Sequence, residues 1–274
     1  MSLPYLGQQI TIYFGSFLVV TGVVGNIINI TVFASIRSYR TTPCTFYFLV
    51  GSFFDILYIM LNLVSRIAIS GVRFDLTRTS VSWCKTRNFS LAFVSLCSLT
   101  CSCLATIDQY CATSKNISIR RLSNIKRAPA VLIIMIIIWL CHVYILTLNC
   151  IIPVLIMSIF GYLTYRNIHL TRSLAEQQAD RQLMKMILIE TVLVIISYIQ
   201  YGVNGAYTII TAGMVKDNNR LSIENFVATL SNLMCYLYFS GSCYMFMLSS
   251  SRFRAAVKRL CCCLRATNQI NPNI

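Results

Sequence analysis

Long apolar runs alternate along the chain with short segments that contain the turn residues and nearly all of the charge. A membrane-spanning helix needs about 20 mostly apolar residues, because the hydrocarbon core of a bilayer is about 30 Å thick and an α-helix rises about 1.5 Å per residue. The runs reach or approach this length, so the pattern predicts an all-α membrane protein with one domain (1–274) of seven transmembrane helices. The predicted helices cover residues 10–36, 44–69, 84–112, 128–146, 149–166, 182–212 and 222–248.

The fourth and fifth predicted helices are unusually short. Arg127 and Arg166 flank them on the same predicted side of the membrane, and only 38 residues lie between these two arginines. Two full spans and a loop would need more than about 40 residues. We therefore expect a tight hairpin that turns near 147–150, although a gene model that lacks an exon explains the same spacing equally well.

The composition agrees with a membrane protein. Hydrophobic residues make up 57% of the chain and charged residues only 11%, whereas soluble domains carry about 25% charged residues. This balance argues against a soluble enzyme, and the apolar content excludes a disordered chain. The sequence also shows no nucleophile–base pair, no glycine-rich phosphate loop and no set of metal ligands, so we expect no enzymatic activity.

The distribution of basic residues predicts the orientation of the chain. Sixteen of the 23 lysines and arginines lie in 37–40, 115–127, 166–185 and 252–265, and the other seven lie in 66–87 and 216–220. Loops rich in basic residues face the cytoplasm, so we expect a multi-pass plasma-membrane protein with an extracellular N-terminus. The charge is dispersed at helix ends and does not form one contiguous arm, which argues against a nucleic-acid partner.

Several short motifs occur in the order and at the spacing typical of one receptor family. They are Gly25-Asn26 in the first helix, Phe46-Tyr47-Phe48-Leu49 and Asp55 in the second, Trp83-Cys84 at the start of the third, Asp108-Gln109-Tyr110 24 residues after Cys84, Trp139 in the fourth, Pro153 in the fifth and Phe253-Arg254 after the seventh. Together they resemble the rhodopsin-like (class A) G-protein-coupled receptors, as a divergent member, over nearly the whole chain. The resemblance implies a receptor that transmits the binding of an extracellular ligand to an intracellular heterotrimeric G protein.

Asp55 lies in the middle of an apolar span, where an ionisable side chain is costly and usually functional. In the family this aspartate holds a sodium ion with polar neighbours, and Ser98 and Asn26 match two of those positions. The alternative is a neutral, protonated Asp55 that is hydrogen-bonded to Asn26. The asparagine that the family carries in the seventh span is replaced near Gly241, which leaves the sodium site incomplete.

The triplet Asp108-Gln109-Tyr110 stands where the family has the Asp-Arg-Tyr switch for the G protein. Gln109 carries no charge, so we expect a neutral hydrogen bond in place of the ionic latch and a resting state that is less firmly held. The alternative is that Asp108 only faces the basic loop that contains Lys115 and Arg120.

Two further departures from the family affect the sixth and seventh helices. Gln200 stands where the family has a kink proline, and 241–246 replaces Asn-Pro-x-x-Tyr. Small residues there, such as Gly205 and Gly241, are able either to localise a bend or to allow close helix packing. Glu190, in the inner half of the sixth helix, has Lys185 and Arg181 as possible partners. These departures favour the alternative of a receptor-derived protein without signalling output.

Two residues in the predicted extracellular half of the helices, Leu91 and Arg66, indicate which classes of ligand are expected. Leu91 stands where amine receptors carry an aspartate, which disfavours a monoamine. Arg66 lies about three helical turns beyond Asp55, near the expected mouth of the ligand pocket. With the other outer basic residues it predicts a peptide or a small acidic ligand; solvated or lipid-facing charges are the alternative.

The cysteines and the tail complete the prediction. The resemblance implies a disulfide at Cys84, for which Cys150 is a possible partner. Residues 251–260 place Phe253, Val257 and Leu260 on one helical face, so we expect an amphipathic eighth helix in the inner headgroup layer, followed by the tail 261–274. The adjacent Cys261, Cys262 and Cys263 are candidates for palmitoylation, with free thiols as the alternative.

Overall fold

The structure, a computed structural model, describes residues 2–72, 80–141, 146–170 and 177–269. These residues form helices and short connections, and no strand occurs among them, which confirms the all-helical prediction. In chain order the helices are α1 (Leu3–Ser35), α2 (Arg37–Arg40), α3 (Pro43–Tyr58), a π-helical segment (Ile59–Leu63), α4 (Val64–Val72), α5 (Val81–Thr113), α6 (Ile117–Arg120), α7 (Ala128–Cys141), α8 (Leu146–Leu170), α9 (Gln177–Ile210), α10 (Asn218–Ser249) and α11 (Ser251–Gln269).

Four helical segments in the described part of the chain are long and apolar enough to cross a membrane. They are α1, the α3–α4 segment Pro43–Ser70, α5, and α9 from Gln182. Large apolar side chains point outward from these helices, for example Phe17 and Val24 on α1 and Ile199 and Val203 on α9. An exposed apolar surface of this kind is compatible with a membrane-embedded protein.

The long helices pack side by side in a ring. Going round the ring, α1 contacts α3, α3 contacts α5, and then α8, α9 and α10 follow before α10 returns to α1. Helix α7 lies outside the ring against α5 and α3. We name the two ends of this bundle. The N-terminal end is the one at which α1 begins. The opposite end is the one at which α1 ends and α11 lies.

The inner face of α1 is lined by small residues. Gly7, Gly15, Gly22 and Gly25 are all buried in the ring. A Cβ atom on Gly22 would lie 2.6 Å from both Ile59 Cδ1 and Ser240 Oγ. Only glycine therefore permits the close approach of α1 to α10 at this level, as small residues commonly do between membrane helices.

The last helix, α11, packs against the opposite end of the ring. Phe253 is fully buried, with its ring centroid 5.6 Å from that of Phe33 and 5.9 Å from that of Phe246. Arg254 Nη1 donates hydrogen bonds to the Met247 and Leu248 carbonyls at 2.7 and 3.1 Å. These contacts satisfy carbonyls at the end of α10, so the polar and apolar faces of α11 both contribute to its attachment.

The predicted hairpin between the fourth and fifth helices was misplaced. Residues 147–150, the expected turn, lie within α8, and α7 ends at Cys141; residues 142–145 lie outside the described part. The expected turn holds no glycine or proline, so nothing in it interrupts a helix. The described part of α7 has 14 residues, and α8, with 25, is longer than the predicted fifth helix.

Candidate ligand cavity and buried polar network

A cavity of about 650 Å³ opens at the N-terminal end of the bundle. Pockets for small ligands commonly measure about 300–1,000 Å³. This one lies between α1, the π-helical segment, α4, α5 and α10, and its walls combine apolar side chains with amides, hydroxyls and two arginines. The lining residues are Leu3, Pro4, Gly7, Gln8, Thr11, Asn62, Arg66, Ile69, Ser70, Arg87, Ser222, Asn225, Phe226 and Thr229.

The π-helical segment shapes one wall of this cavity. A π-turn holds one more residue than an α-turn, so it rotates the residues that follow it by about 100° around the helix axis. The segment contains Asn62, whose amide nitrogen donates to the Tyr58 hydroxyl at 2.9 Å. Arg87 donates to Asn62 Oδ1 at 3.2 Å and to Ser65 Oγ at 3.1 Å, which fixes its guanidinium at the cavity wall.

Arg66 lies in the same cavity, where the sequence had predicted a ligand-mouth residue. Its guanidinium is beside the hydroxyl of Tyr236 on α10. Among the residues that the structure describes, no acid lines the cavity and neither Arg66 nor Arg87 forms an ion pair. Leu91, the other predicted mouth residue, is half-buried on α5 and does not line the cavity.

Two further basic residues at this end, Lys216 and Arg220, form ion pairs. Lys216 Nζ lies 2.6 Å from Glu224 Oε2, and Arg220 Nε lies 3.0 Å from Glu224 Oε1. Tyr207 also donates to Glu224, at 2.9 Å, and so ties the end of α9 to the start of α10. The single carboxylate of Glu224 therefore compensates one of these two charges, and Arg66 and Arg87 supply the positive charge in the cavity wall.

A chain of hydrogen bonds crosses the centre of the ring and joins two buried acids. Ser98 donates to Asp55 at 2.5 Å, and Ser102 donates to Glu190 at 2.8 Å. The Tyr238 hydroxyl lies 2.7 Å from Ser102 Oγ and 3.2 Å from Ser98 Oγ. Each serine donates its hydroxyl hydrogen to an acid, so both serine oxygens can only accept a hydrogen bond from Tyr238. The Tyr238 hydroxyl has one hydrogen to donate, and the shorter distance favours Ser102 as its acceptor.

This network connects α3, α5, α9 and α10. Beside it lies a cavity of about 10 Å³, which is room for about one water molecule. The sequence left the partner of Glu190 open between Lys185 and Arg181. The structure instead pairs Glu190 with Ser102, while Lys185 is exposed and the Arg181 side chain lies outside the described part.

The predicted sodium ligands converge only in part. Asp55 and Ser98 are in contact, but the Asn26 amide donates to the Gly22 and Phe239 carbonyls at 2.9 and 2.8 Å. The structure therefore contains neither the expected trio nor a hydrogen bond between Asn26 and Asp55. No group of three or more histidine, cysteine or acidic side chains suited to a metal ion occurs in the described residues.

The triplet Asp108-Gln109-Tyr110 lies near the end of α5, at the opposite end of the bundle, and its three side chains have different surroundings. Asp108 lies beside the Cys44 backbone and the Ser123 hydroxyl, whereas Lys115 and Arg120 are exposed. Gln109 is buried, and the ring of Tyr110 packs edge-on against Phe160 of α8 at 5.4 Å. Asp108 therefore faces the basic loop, as the predicted alternative had it, but it does so at Ser123, while Lys115 and Arg120 are exposed.

The predicted cysteine sites are placed as follows. Cys84 is a free thiol at the start of α5, and the Cys150 side chain lies outside the described part, so their disulfide remains a prediction. Cys261 and Cys262 are exposed on α11, where an acyltransferase would reach them, and the Cys263 side chain lies outside the described part.

No protein-family model matches this chain, and no curated protein matches it either.

Proposed function

We propose that this protein is a seven-transmembrane receptor of the rhodopsin-like type, which couples an extracellular ligand to a heterotrimeric G protein. The observation that carries the proposal is the course of α5. One end of this helix contributes Arg87 to a ligand-sized cavity, and the other end carries Asp108-Gln109-Tyr110. A single rigid helix therefore joins a binding site to the position where the family contacts its G protein.

The seven proposed spans are α1, α3 with α4, α5, α7, α8, α9 and α10. Helices α8 and α10 have 25 and 32 residues, which is enough to cross a bilayer. The polar residues Ser231, Ser240 and Ser242 of α10 are buried inside the ring and would be shielded from lipid. In this arrangement the N-terminal end is extracellular, the opposite end is cytoplasmic and α11 lies in the inner headgroup layer.

The proposed ligand is a small acidic molecule or an acidic peptide. Arg66 and Arg87 give the cavity positive charge, and its described walls contain no compensating acid. Arginine binds carboxylates through two parallel hydrogen bonds, and an enclosed basic site attracts anions from solution. The polar lining from Gln8, Asn62 and Asn225 would bind the remaining polar groups of such a ligand.

Activation in this family involves outward movement of the sixth helix, which corresponds to α9. Here the hydrogen bond from Ser102 to Glu190 joins α5 to α9 in the core. We infer that this bond holds α9 in the resting position, and that it must break or exchange partners when α9 moves.

A second candidate is a receptor-derived membrane protein without signalling output. It is favoured by Gln109, which replaces the arginine that contacts G proteins in the family. It is also favoured by α9 itself, which runs as one helix from Gln177 to Ile210 with no proline to bend it. Such a protein would bind the ligand, or a receptor partner, without activating nucleotide exchange.

Nucleotide exchange by purified G proteins distinguishes the two candidates. The full-length protein in lipid nanodiscs is mixed with each class of heterotrimeric G protein, and the uptake of a non-hydrolysable GTP analogue is measured. We expect uptake above that of empty nanodiscs, and a lower basal rate for Gln109→Arg because an ionic latch would hold the resting state more firmly. Absence of uptake with every G-protein class, from protein that shows a cooperative thermal transition, would favour the non-signalling candidate.

A further inference from the structure

The basic segment that joins α5 to α7 contains one serine with an unusual sequence context. This segment, residues 114–127, lies at the opposite end of the bundle and includes the short helix α6. Ser123 follows Arg120 by three residues and Arg121 by two, and no other serine or threonine of the chain has basic residues at both of these positions. The function proposed above does not use Ser123.

The backbone around Ser123 is accessible. Residues 123 and 124 belong to no helix, and turns at 121–122 and 125–127 flank them. Ser123 is half-buried, whereas Arg120 and Arg121 are exposed and form no ion pair among the described residues. Exposed connections with few buried side chains open locally at low cost in free energy, so an enzyme is able to reach Ser123 without unfolding the bundle.

One contact holds the side chain of Ser123 inward. Its hydroxyl donates a hydrogen bond to the carboxylate of Asp108 on α5, which also accepts from the backbone amide of Cys44 near the start of α3. Asp108 is buried, and within the described ranges it has no ion-pair partner. The basic segment is therefore docked, through Ser123, on a buried carboxylate whose charge no contacting cation offsets.

A phosphate on Ser123 is incompatible with this docking. Phosphoserine carries a charge of about −1.5 to −2 near neutral pH, and its oxygens are strong acceptors. Phosphorylation would thus replace the donor that Asp108 binds by a group that repels it. Four exposed cations of the same segment are available to bind the phosphate instead, since guanidinium and ammonium groups form charge-assisted hydrogen bonds with phosphate oxygens. They are Arg120, Arg121, Lys126 and Arg127.

We propose that Ser123 is a phosphorylation site for a serine/threonine kinase that selects basic substrates, and that the phosphate releases the basic segment from Asp108. Kinases select substrates through complementary charge patterns, so arginines before the serine suit a kinase with an acidic binding groove. Because the segment follows Asp108-Gln109-Tyr110 directly, its release would change the surface that the proposed function assigns to the G protein. The inference rests on the cytoplasmic placement of this end in the proposed function, but not on activation of a G protein.

The reaction is transfer of the γ-phosphoryl group of ATP. The Ser123 Oγ atom forms a new bond to the γ-phosphorus while the bond from this phosphorus to the β–γ bridging oxygen breaks. The serine proton passes to the catalytic aspartate of the kinase, and ADP leaves.

Phosphorylation of the full-length protein in lipid nanodiscs tests the site. The kinase is the catalytic subunit of the cAMP-dependent protein kinase, which selects arginines at these two positions, and peptide mass spectrometry locates the phosphate. Both faces of a nanodisc are open to the kinase, so the result depends neither on orientation in a cell nor on signalling. We expect phosphate on Ser123, none at this position in Ser123→Ala, and an initial rate about tenfold lower in Arg120→Gln/Arg121→Gln because two charge-assisted contacts are lost.

A matched control removes the same charge after the serine. The double variant Lys126→Gln/Arg127→Gln should be phosphorylated within about twofold of the rate of the unmodified protein. Ser118 is an internal reference, because it is exposed on α6 but has only Lys115 among the two selected positions, and it should stay unmodified. Absence of phosphate on Ser123, or equal loss of rate in the two double variants, would overturn the proposed site.

Amide hydrogen exchange tests the release of the segment. Exchange in 116–127 should be faster in the phosphorylated protein than in the unmodified protein, while exchange in α10 stays the same. Asp108→Asn keeps a hydrogen-bond acceptor but removes the charge, so phosphorylation should accelerate exchange less in this variant. Its thermal midpoint shows whether the fold is retained. Unchanged exchange after phosphorylation, or equal acceleration with Asn at position 108, would show that the phosphate does not act through Asp108.

Discussion

Ser102 and Ser197 are two buried serines with different roles in the core. Ser102 donates to Glu190 and lies within hydrogen-bond distance of Tyr238, whereas the Ser197 hydroxyl has no partner among the described residues. Removal of a hydroxyl that satisfies a buried acid exposes that acid to an apolar environment, while removal of an unpaired hydroxyl costs little.

We therefore expect Ser102→Ala to lower the free energy of unfolding by about 1–3 kcal/mol and Ser197→Ala to change it by only a few tenths. The measurement is the thermal unfolding midpoint of the purified protein in detergent. The two substitutions remove the same atom from the same type of residue, so their difference isolates the hydrogen bonds of Ser102. Equal midpoints for the two variants would show that the network does not stabilise the fold.

Gly22 supports a second prediction at a single residue. An added methyl group would meet Ile59 and Ser240 at 2.6 Å, so Gly22→Ala should destabilise the protein by about 1–3 kcal/mol through overpacking. Gly205, in α9, has no neighbour within 4 Å of the corresponding position, so Gly205→Ala should be neutral or slightly stabilising. The thermal unfolding midpoints of the two variants, measured side by side, test both predictions. If Gly22→Ala is as stable as the unmodified protein, α1 and α10 can move apart at this level without loss of stability.

The residues of the core network were only partly predictable. Asp55 and Ser98 were expected to lie together, because both match positions of the sodium site in the family that the sequence resembles. The contact between Ser102 and Glu190 was not predicted, although the spacing gave a signal for it. Ser98, Ser102 and Thr106 lie four residues apart, so they form a row of hydroxyls on one face of α5. The position of Asn26 was not predictable in the same way, because its amide is satisfied by backbone carbonyls of α1 and α10 that carry no sequence signature.

The amphipathic helix that the sequence predicts over 251–260 falls within α11, which continues to Gln269. Its apolar face repeats every three to four residues, and this periodicity places Phe253 and Ala256 toward the ring. The π-helical segment was not foreseen, since Ile59–Leu63 contains no residue that marks a change of helix type. Its geometry follows from the packing of Ile59 and Leu63 in the core and from the hydrogen bonds of Asn62, which are tertiary contacts.

The attachment of α11 gives a prediction at the scale of one helix. Phe253→Ala removes a buried ring that touches Phe33 and Phe246, a change that costs about 3–5 kcal/mol in typical cores. We expect α11 to detach before the ring of helices unfolds, so amide hydrogen exchange in 251–262 should accelerate while exchange in α5 stays unchanged. Lys258→Ala, on the exposed face, should leave both rates unaltered; slow exchange throughout in Phe253→Ala would contradict this account.

At the scale of the whole molecule, the two ends of the bundle differ in charge. Lys216 and Arg220 at the N-terminal end share the single carboxylate of Glu224, whereas Arg252, Lys258 and Arg259 at the opposite end are exposed. The sequence predicted this asymmetry, because it depends only on where basic residues fall between apolar runs. The order of helices round the ring, and the position of α7 outside it, depend on packing between distant segments and were not predictable from the pattern.

This asymmetry predicts how the protein is oriented in a cell. Seven crossings with the basic end in the cytoplasm place the two termini on opposite sides of the membrane. An epitope tag at the N-terminus should therefore bind antibody on intact cells, and a tag at the C-terminus should bind it only after permeabilisation. Both tags must be fused to the full-length chain, with a cytosolic protein stained in parallel to show that the intact cells are sealed. If both tags are reached from the same side, the number of crossings is even, and the proposed receptor with seven crossings would then be wrong.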